Sequence, residues 1–204
     1  WWTLPVVGLF YLYKKLVPNS KWLDLFQREW KHKDAKVFFP FKFTKQYFPK
    51  ENGWLKWKVD EASLCEKNKK LLQVIHDEET CFVHVRRGDY LASNFKSIFE
   101  GCCTLDYYKR ALEYMNKNNP KVRFICFSDD LEWMRKNLPM DDSAIYVDWN
   151  TDTDSPLDMY MMSQCDNGII ANSSFSYWGA YLGEKKTTVI YPKKWWNMEG
   201  GNPN

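Results

Sequence analysis

The chain has 204 residues, 45% hydrophobic and 27% charged, enough for one full domain and part of another. Its 29 basic and 26 acidic residues leave a net charge of +3, too small to point to nucleic acid and compatible only with a local basic site. The six cysteines (65, 81, 102, 103, 126 and 165) show no CxxC pair and no His-paired metal spacing. Cys81 and Cys126 fall in apolar runs where a thiol behaves as a small hydrophobe, so all six are expected to be reduced, as suits a cytosolic protein. Aromatic content is high at 18%, with eleven Trp; aromatics can line sugar sites, but most are assigned to the core.

The first residue is Trp, so the natural start is expected to be missing. Residues 1–17 (WWTLPVVGLFYLYKKLV) resemble an anchor. Their uncharged part is shorter than the ~20 residues that span a bilayer, and Pro5 and Gly8 interrupt it. A buried or interfacial segment is expected there, which allows peripheral membrane association at the inner face. Residues 1–80 are aromatic and Lys-rich, with one periodic stretch: 61–76 predicts a helix with Leu64, Leu71, Leu72 and Ile75 on a common face. A domain boundary is expected at residue 80.

From residue 81 strands and helices alternate. CFVHV (81–85), RFICFS (123–128), AIYVDW (144–149), NGIIA (167–171) and TTVIYP (187–192) predict strands. Between the first two, 104–117 predicts a helix with Thr104 as N-cap and Leu105, Tyr108, Leu112 and Met115 on one face. Residues 129–138 predict a second helix, ended by Pro139. Ser155-Pro156-Leu157-Asp158 reads as N-cap, N1 proline and first-turn acid of a helix to about 165. Residues 173–183 predict another, with serines at its start and Gly183 at its end. This alternation predicts an α/β domain with a parallel sheet covered on both faces, over 81–204. Such sheets bind ligands at the carboxyl ends of their strands.

Three segments at those ends carry groups suited to a nucleotide. In His84-Val85-Arg86-Arg87-Gly88-Asp89-Tyr90, alternation puts His84 and Arg86 on one side of the strand. Guanidinium forks suit phosphate oxygens, Gly88 permits a sharp turn, and Asp89 can either hold an arginine or act as a base. The bland alternative is a surface ion pair at a strand end; the RGD tripeptide is poorly presented for adhesion. Ser128-Asp129-Asp130 reads most simply as helix capping, with a carboxylate accepting from guanine as the functional alternative and a metal-binding pair ranked last. Asn172-Ser173-Ser174-Phe175-Ser176 opens a helix whose first-turn N–H groups and dipole favour an anion. Its match to a glycosylation sequon is taken as accidental. The D-x-D string at 152–154 reads as a solvated turn.

HVRRGDY, GCCTLDYYKRALEYM, FSDDLEW, DMYMMSQCDNGIIANSSFSYWGAYL and YPKKWW, in that order, resemble the α-1,2-fucosyltransferases of glycosyltransferase family 11 over roughly 81–197. The resemblance implies a GT-B fold of two Rossmann-like domains, GDP-fucose as donor, a terminal galactoside as acceptor, inversion at the anomeric carbon, and no metal or other cofactor. It implies that Arg86 binds the β-phosphate with Arg87 in support, and that His84 and one of Asp129 or Asp130 lie near guanine. Ser128 and Asn172 are expected to bind the donor with these groups, and Ser173, Ser174 and Ser176 match the serine-rich turn near the diphosphate. Asp89 is the candidate base on this chain, and synthesis of a bacterial surface polysaccharide is the expected setting. The family's glycine-rich G-G-L-G-N-Q segment is not found here, so the chain is expected to be partial, with 1–80 the remainder of the acceptor-side domain. Another GDP-sugar transferase of the same fold, or a non-catalytic nucleotide- or glycan-binding fragment, are the competing readings.

Overall fold

The computed structural model describes residues 59–91 and 93–197. The expected interfacial segment at 1–17 lies outside them. The sheet is built on β1 (Thr80–Val85), which is buried at every position and therefore needs apolar cover on both faces. β2 (Arg123–Ser128) runs parallel to it in register from Thr80↔Arg123 to Val85↔Ser128. β3 (Ile145–Tyr146) pairs with β2, β4 (Asn167–Ile169) with the other side of β1, and β5 (Thr188–Ile190) with β4, all parallel. The order is β3-β2-β1-β4-β5. The chain thus works outward on one side of β1 and then returns to its other side. In open sheets of this kind ligands bind where the order reverses, which here is at the carboxyl ends of β1 and β4.

Two packed layers cover the sheet, and strand alternation decides which residues meet which layer. Phe82, Ile125, Phe127 and Ile170 share one core with Leu71, Leu72 and Ile75 of α1 (Glu66–Asp77) and Tyr160, Met161 and Met162 of α5 (Ser155–Gln164). Cys81, Val83, Val85, Phe124, Cys126 and Ile169 share the other with Tyr108, Ala111, Leu112 and Met115 of α3 (Leu105–Asn118) and Met134 of α4 (Leu131–Asn137). α2 (Ser93–Phe99) follows the turn after β1, and α6 (Ser174–Tyr181) follows β4 and packs against α5.

Most differences from the sequence expectations have local causes. The helix expected from residue 61 starts at Glu66, because Asp60 caps a single 3-10 turn at Glu61–Ser63 and Leu64 and Cys65 are extended. The expected boundary at residue 80 falls between α1 and β1, yet α1 packs into the sheet's own core. The expected strand 144–149 is reduced to Ile145–Tyr146: it lies at the sheet edge, and after the Val147 N–H bond to Cys126 O (3.0 Å) the chain turns into polar contacts. α5 begins at Ser155 with Asp154 in the N-cap position. α2 was not expected; its seven residues, SNFKSIF, are too few to establish a periodic face. No helix among the described residues is long and apolar enough to cross a membrane, and all six cysteines are free.

Gly168 shows how tightly this sheet is covered. A Cβ there would lie 2.4 Å from Cε1 and 2.6 Å from Cζ of Phe82, a ring buried in the core. Gly168→Ala is expected to destabilise the chain by about 1–3 kcal/mol through overpacking. Urea unfolding would register this as a lower midpoint at unchanged slope.

Candidate functional site

β1 ends at Val85, and the next residues form a turn held from the neighbouring strand. Asp129, just past β2, accepts from the backbone N–H of Arg87 through Oδ1 and of Gly88 through Oδ2, each at 2.9 Å. A side chain at Gly88 would place its Cβ 2.8 Å from Asp129 Oδ2, so glycine's missing Cβ is what lets the carboxylate approach. Arg86 Nε lies 2.9 Å from Asp89 Oδ1 and 3.3 Å from Asp129 Oδ2. Its two terminal nitrogens make no hydrogen bond among the described residues. Burial works against the Arg86 charge, but the Asp89 hydrogen bond and the Asp129 carboxylate outweigh it and raise its pKa.

Arg87 is committed differently. Its Nε donates to Asp130 Oδ2 at 3.0 Å, and its guanidinium lies 4.1 Å over the Trp133 ring. Asp130 Oδ1 caps α4 by accepting from Trp133 N (3.1 Å), and Ser128 Oγ accepts from Asp130 N (2.8 Å). The capping expected of Ser128-Asp129-Asp130 is therefore made by Asp130, while Asp129 turns to the β1 end. Asp89 holds Arg86 through Oδ1 alone.

The β4 end meets this turn. Tyr90 Oη donates to Asn172 O at 2.8 Å, and the His84 ring lies 5.7 Å from that of Phe175. Ser173 caps α6, its Oγ accepting from Phe175 N (3.3 Å), and the first backbone bond of the helix is Tyr177 N to Ser173 O (3.0 Å). The amides of the first turn are thus not used within the helix. Ser174 is exposed, whereas Ser176 is buried and its hydroxyl donates to Ala171 O and Ser173 O, both at 3.3 Å. Asn172 is also buried, its side-chain amide donating to Trp195 O (2.9 Å). So Arg86, Asp89, Asp129 and the Ser173-Ser174 turn come to one edge of the sheet, while Asn172 and Ser176 support that turn from within. His84 is 4% exposed, with no partner for Nδ1 among the described residues; burial and, next, the Arg86 charge push its pKa down to about 3, so the ring is neutral.

A polar cluster at the same edge was not singled out by sequence. Asn68 of α1 is fully buried; its Oδ1 accepts from Trp149 Nε1 (2.7 Å) and its Nδ2 donates to Asn150 Oδ1 (2.8 Å). Asn150 Nδ2 donates to Asp158 Oδ1 at 2.7 Å. Burial raises the Asp158 pKa to about 6, the Asn150 bond opposing it. In the sequence Asp158 reads only as a first-turn acid; the signal available was its position in the segment of the family resemblance. The D-x-D string forms a 3-10 turn at Asp152–Asp154.

The sequence pattern described as Glycosyl transferase family 11 matches residues 22–201. The chain is 37% identical over 124 residues to the O-antigen biosynthesis glycosyltransferase WbnK of Escherichia coli, covering 60% of this chain and 41% of that protein. It is 31% identical over 172 residues to an alpha-1,2-colitosyltransferase of Escherichia coli, covering 82% and 58%. It is 28% identical over 110 residues to the galactoside 2-alpha-L-fucosyltransferase SEC1 of Bos taurus, covering 53% and 30%. Among solved structures, NodZ alpha-1,6-fucosyltransferase co-crystallized with GDP is weakly similar, at 16% identity and a TM-score of 0.38, covering 57% of this chain and 40% of that one. The chain thus spans roughly half the length of the first two curated relatives, at 41% and 58%.

The two shifted groups act on stability in opposite directions. His84 is neutral in the fold with a pKa near 3, but in the unfolded chain it titrates near its ordinary 6.5. Unfolding takes up a proton between those values, so its contribution falls as pH drops from 6.5 toward 3. Asp158 holds its proton up to about pH 6 in the fold but to only 3.8 when unfolded, so its contribution falls as pH rises through that window. Asp158→Asn is therefore expected to steepen the loss of stability between pH 6 and pH 4, and His84→Gln to flatten it. Urea melts of both variants across that range check the signs.

Proposed function

The chain belongs to glycosyl transferase family 11, and from that premise we propose that it is the donor-binding part of a fucosyltransferase. The reaction proposed is transfer of L-fucose from GDP-fucose to the 2-hydroxyl of a terminal galactoside, with inversion and without a metal, in a GT-B arrangement. The observation that carries the reading is Arg86: two carboxylates fix its Nε, and its terminal nitrogens, without a hydrogen bond among the described residues, can face a ligand. A guanidinium held in this way offers a planar fork to two phosphate oxygens. The adjoining α6 N-terminus favours the same anion. As the bond between fucose C1 and the phosphate oxygen breaks, negative charge grows on the diphosphate. Donors already in place stabilise that charge more in the transition state than in the ground state. A cytoplasmic setting at the inner face of a membrane, in surface polysaccharide synthesis, is part of the same proposal.

The incoming hydroxyl must lose a proton. Asp89 is the proposed acceptor on this chain, through the oxygen that Arg86 does not use. A second reading is favoured by the relative matched over 82% of this chain, an alpha-1,2-colitosyltransferase: the donor sugar would be colitose, which lacks the 3-hydroxyl of fucose. The diphosphate site serves either donor, and competition between the two nucleotide sugars separates the readings.

Arg86→Lys keeps the charge but removes the fork. It is expected to cost about 2.7–4 kcal/mol of transition-state stabilisation, a loss of roughly 10²–10³ in rate, and to weaken GDP binding. Arg87→Lys, at a guanidinium paired with Asp130 and stacked on Trp133, is expected to cost less. Calorimetry with GDP on this chain and fucosyl transfer by the intact enzyme measure both, and equal mild effects would reduce the pair to a surface ion pair. GDP binding is expected to survive EDTA; loss on chelation with recovery on adding Mn²⁺ would return the acidic residues to a metal role.

A further inference from the structure

We propose that Cys103, together with Tyr90, positions the Asn172–Ser174 turn so that it can receive a diphosphate; the proposal rests on the donor-site reading above. Every polar group of Asn172 is held by the protein. Its backbone N–H donates to Cys103 Sγ at 3.3 Å, and the Cys103 thiol donates to Asn172 Oδ1, also at 3.3 Å. Its side-chain amide donates to Trp195 O at 2.9 Å, and its carbonyl accepts from Tyr90 Oη at 2.8 Å. One thiol therefore acts as acceptor for the backbone and donor to the side chain of the same residue, a two-point clamp on the residue that precedes the Ser173 cap. Asn172 is 2% exposed, so water cannot replace a lost partner.

The clamp has a rigid base. Cys103 immediately precedes Thr104, whose Oγ1 caps α3 by accepting from Tyr107 N (3.1 Å). Tyr107 Oη donates to Ile170 O (2.8 Å) and approaches Ile190 O at 3.1 Å, at the ends of β4 and β5. Tyr108 Oη donates to His84 O (3.2 Å) on β1. The start of α3 is thereby fastened to three strand ends, and Cys103 holds the turn against that frame. Tyr90 holds the carbonyl of Asn172, its ring stacked on Phe99 with centroids 4.2 Å apart. Burial pushes the Cys103 thiol up to about 12, so it keeps the proton that the donor half of the clamp requires.

The test is calorimetry of this chain with GDP and with guanosine, which lacks the diphosphate. It compares wild type, Cys103→Ala, Cys103→Ser and Tyr90→Phe. Cys103→Ala is expected to lower the GDP-to-guanosine affinity ratio by about tenfold, as for loss of a partner to a buried polar group. Guanosine affinity should not change. Cys103→Ser, which keeps a donor and an acceptor on the same atom, is expected to restore the ratio. Tyr90→Phe keeps the ring stack and should lower the ratio less. It carries the test if Cys103→Ala fails to fold. An unchanged ratio in Cys103→Ala or in Tyr90→Phe overturns the proposal, as does a Cys103→Ser variant that falls with the alanine variant. Wild-type chain that binds GDP no tighter than guanosine overturns the donor-site reading, and this proposal with it.

Discussion

The carboxylate of Asp129 accepts from two consecutive backbone amides, those of Arg87 and Gly88, and faces the Arg86 guanidinium at 3.3 Å. Turns of this kind commonly cradle an external anion; here an internal one, supplied by the end of β2, holds the turn at the end of β1. The arrangement depends on the parallel register of the two strands, which puts Val85 beside Ser128, so that both chains leave the sheet at the same level. It also depends on glycine at 88, because a Cβ would meet the carboxylate. With Asp129 in place, Arg86 is aimed rather than loose. Asp89 fixes the same Nε, and the terminal nitrogens make no hydrogen bond among the described residues.

A fixed cation of this kind has functional meaning only because of what stands beside it. The sheet order brings β4 against β1, so the Ser173-Ser174 turn and the open end of α6 lie next to the arginine turn. Tyr90 physically joins the two through Asn172 O. The two turns thus stand side by side at the carboxyl ends of β1 and β4, the arrangement on which the proposed anion site rests. It is built from side chains whose own positions are determined by capping, ion pairing and burial. That preorganisation is what a transition-state role requires, since donors that must reorganise during the reaction stabilise it less.

The sheet was legible because β1, β2 and β4 are apolar runs separated by helices with capping residues: Thr104 and Ser173 stand at the caps where the sequence puts them. The register of β1 and β2, and the switch of strand order at β4, were not legible, because they depend on which helix covers which face. The arginine turn was identified from residue type, but its pairing was not. Spacing alone allows Asp89 to hold either arginine, and only the geometry of the turn gives it to Arg86 and leaves Asp130 for Arg87. Asn172 and Ser176 look in sequence like further donors in a serine-rich turn. Their burial turns them into its support. Asn68 and Cys103 escaped notice because their partners are far along the chain, Asn150 for Asn68 and Asn172 for Cys103. Asp158 bonds to Asn150 only eight residues away, but its burial, which makes it more than a first-turn acid, is not visible in the sequence.

The central claim is that the carboxyl ends of β1 and β4 form one anion-binding edge. Amide hydrogen exchange of this chain with and without GDP tests it most directly. The account predicts slower exchange on GDP binding in peptides spanning Arg86–Tyr90 and Asn172–Ser176, with the opposite edge of the sheet, at Asn119–Val122 and Glu184–Thr187, unchanged. Protection confined to that opposite edge, or to only one of the two turns, would contradict it.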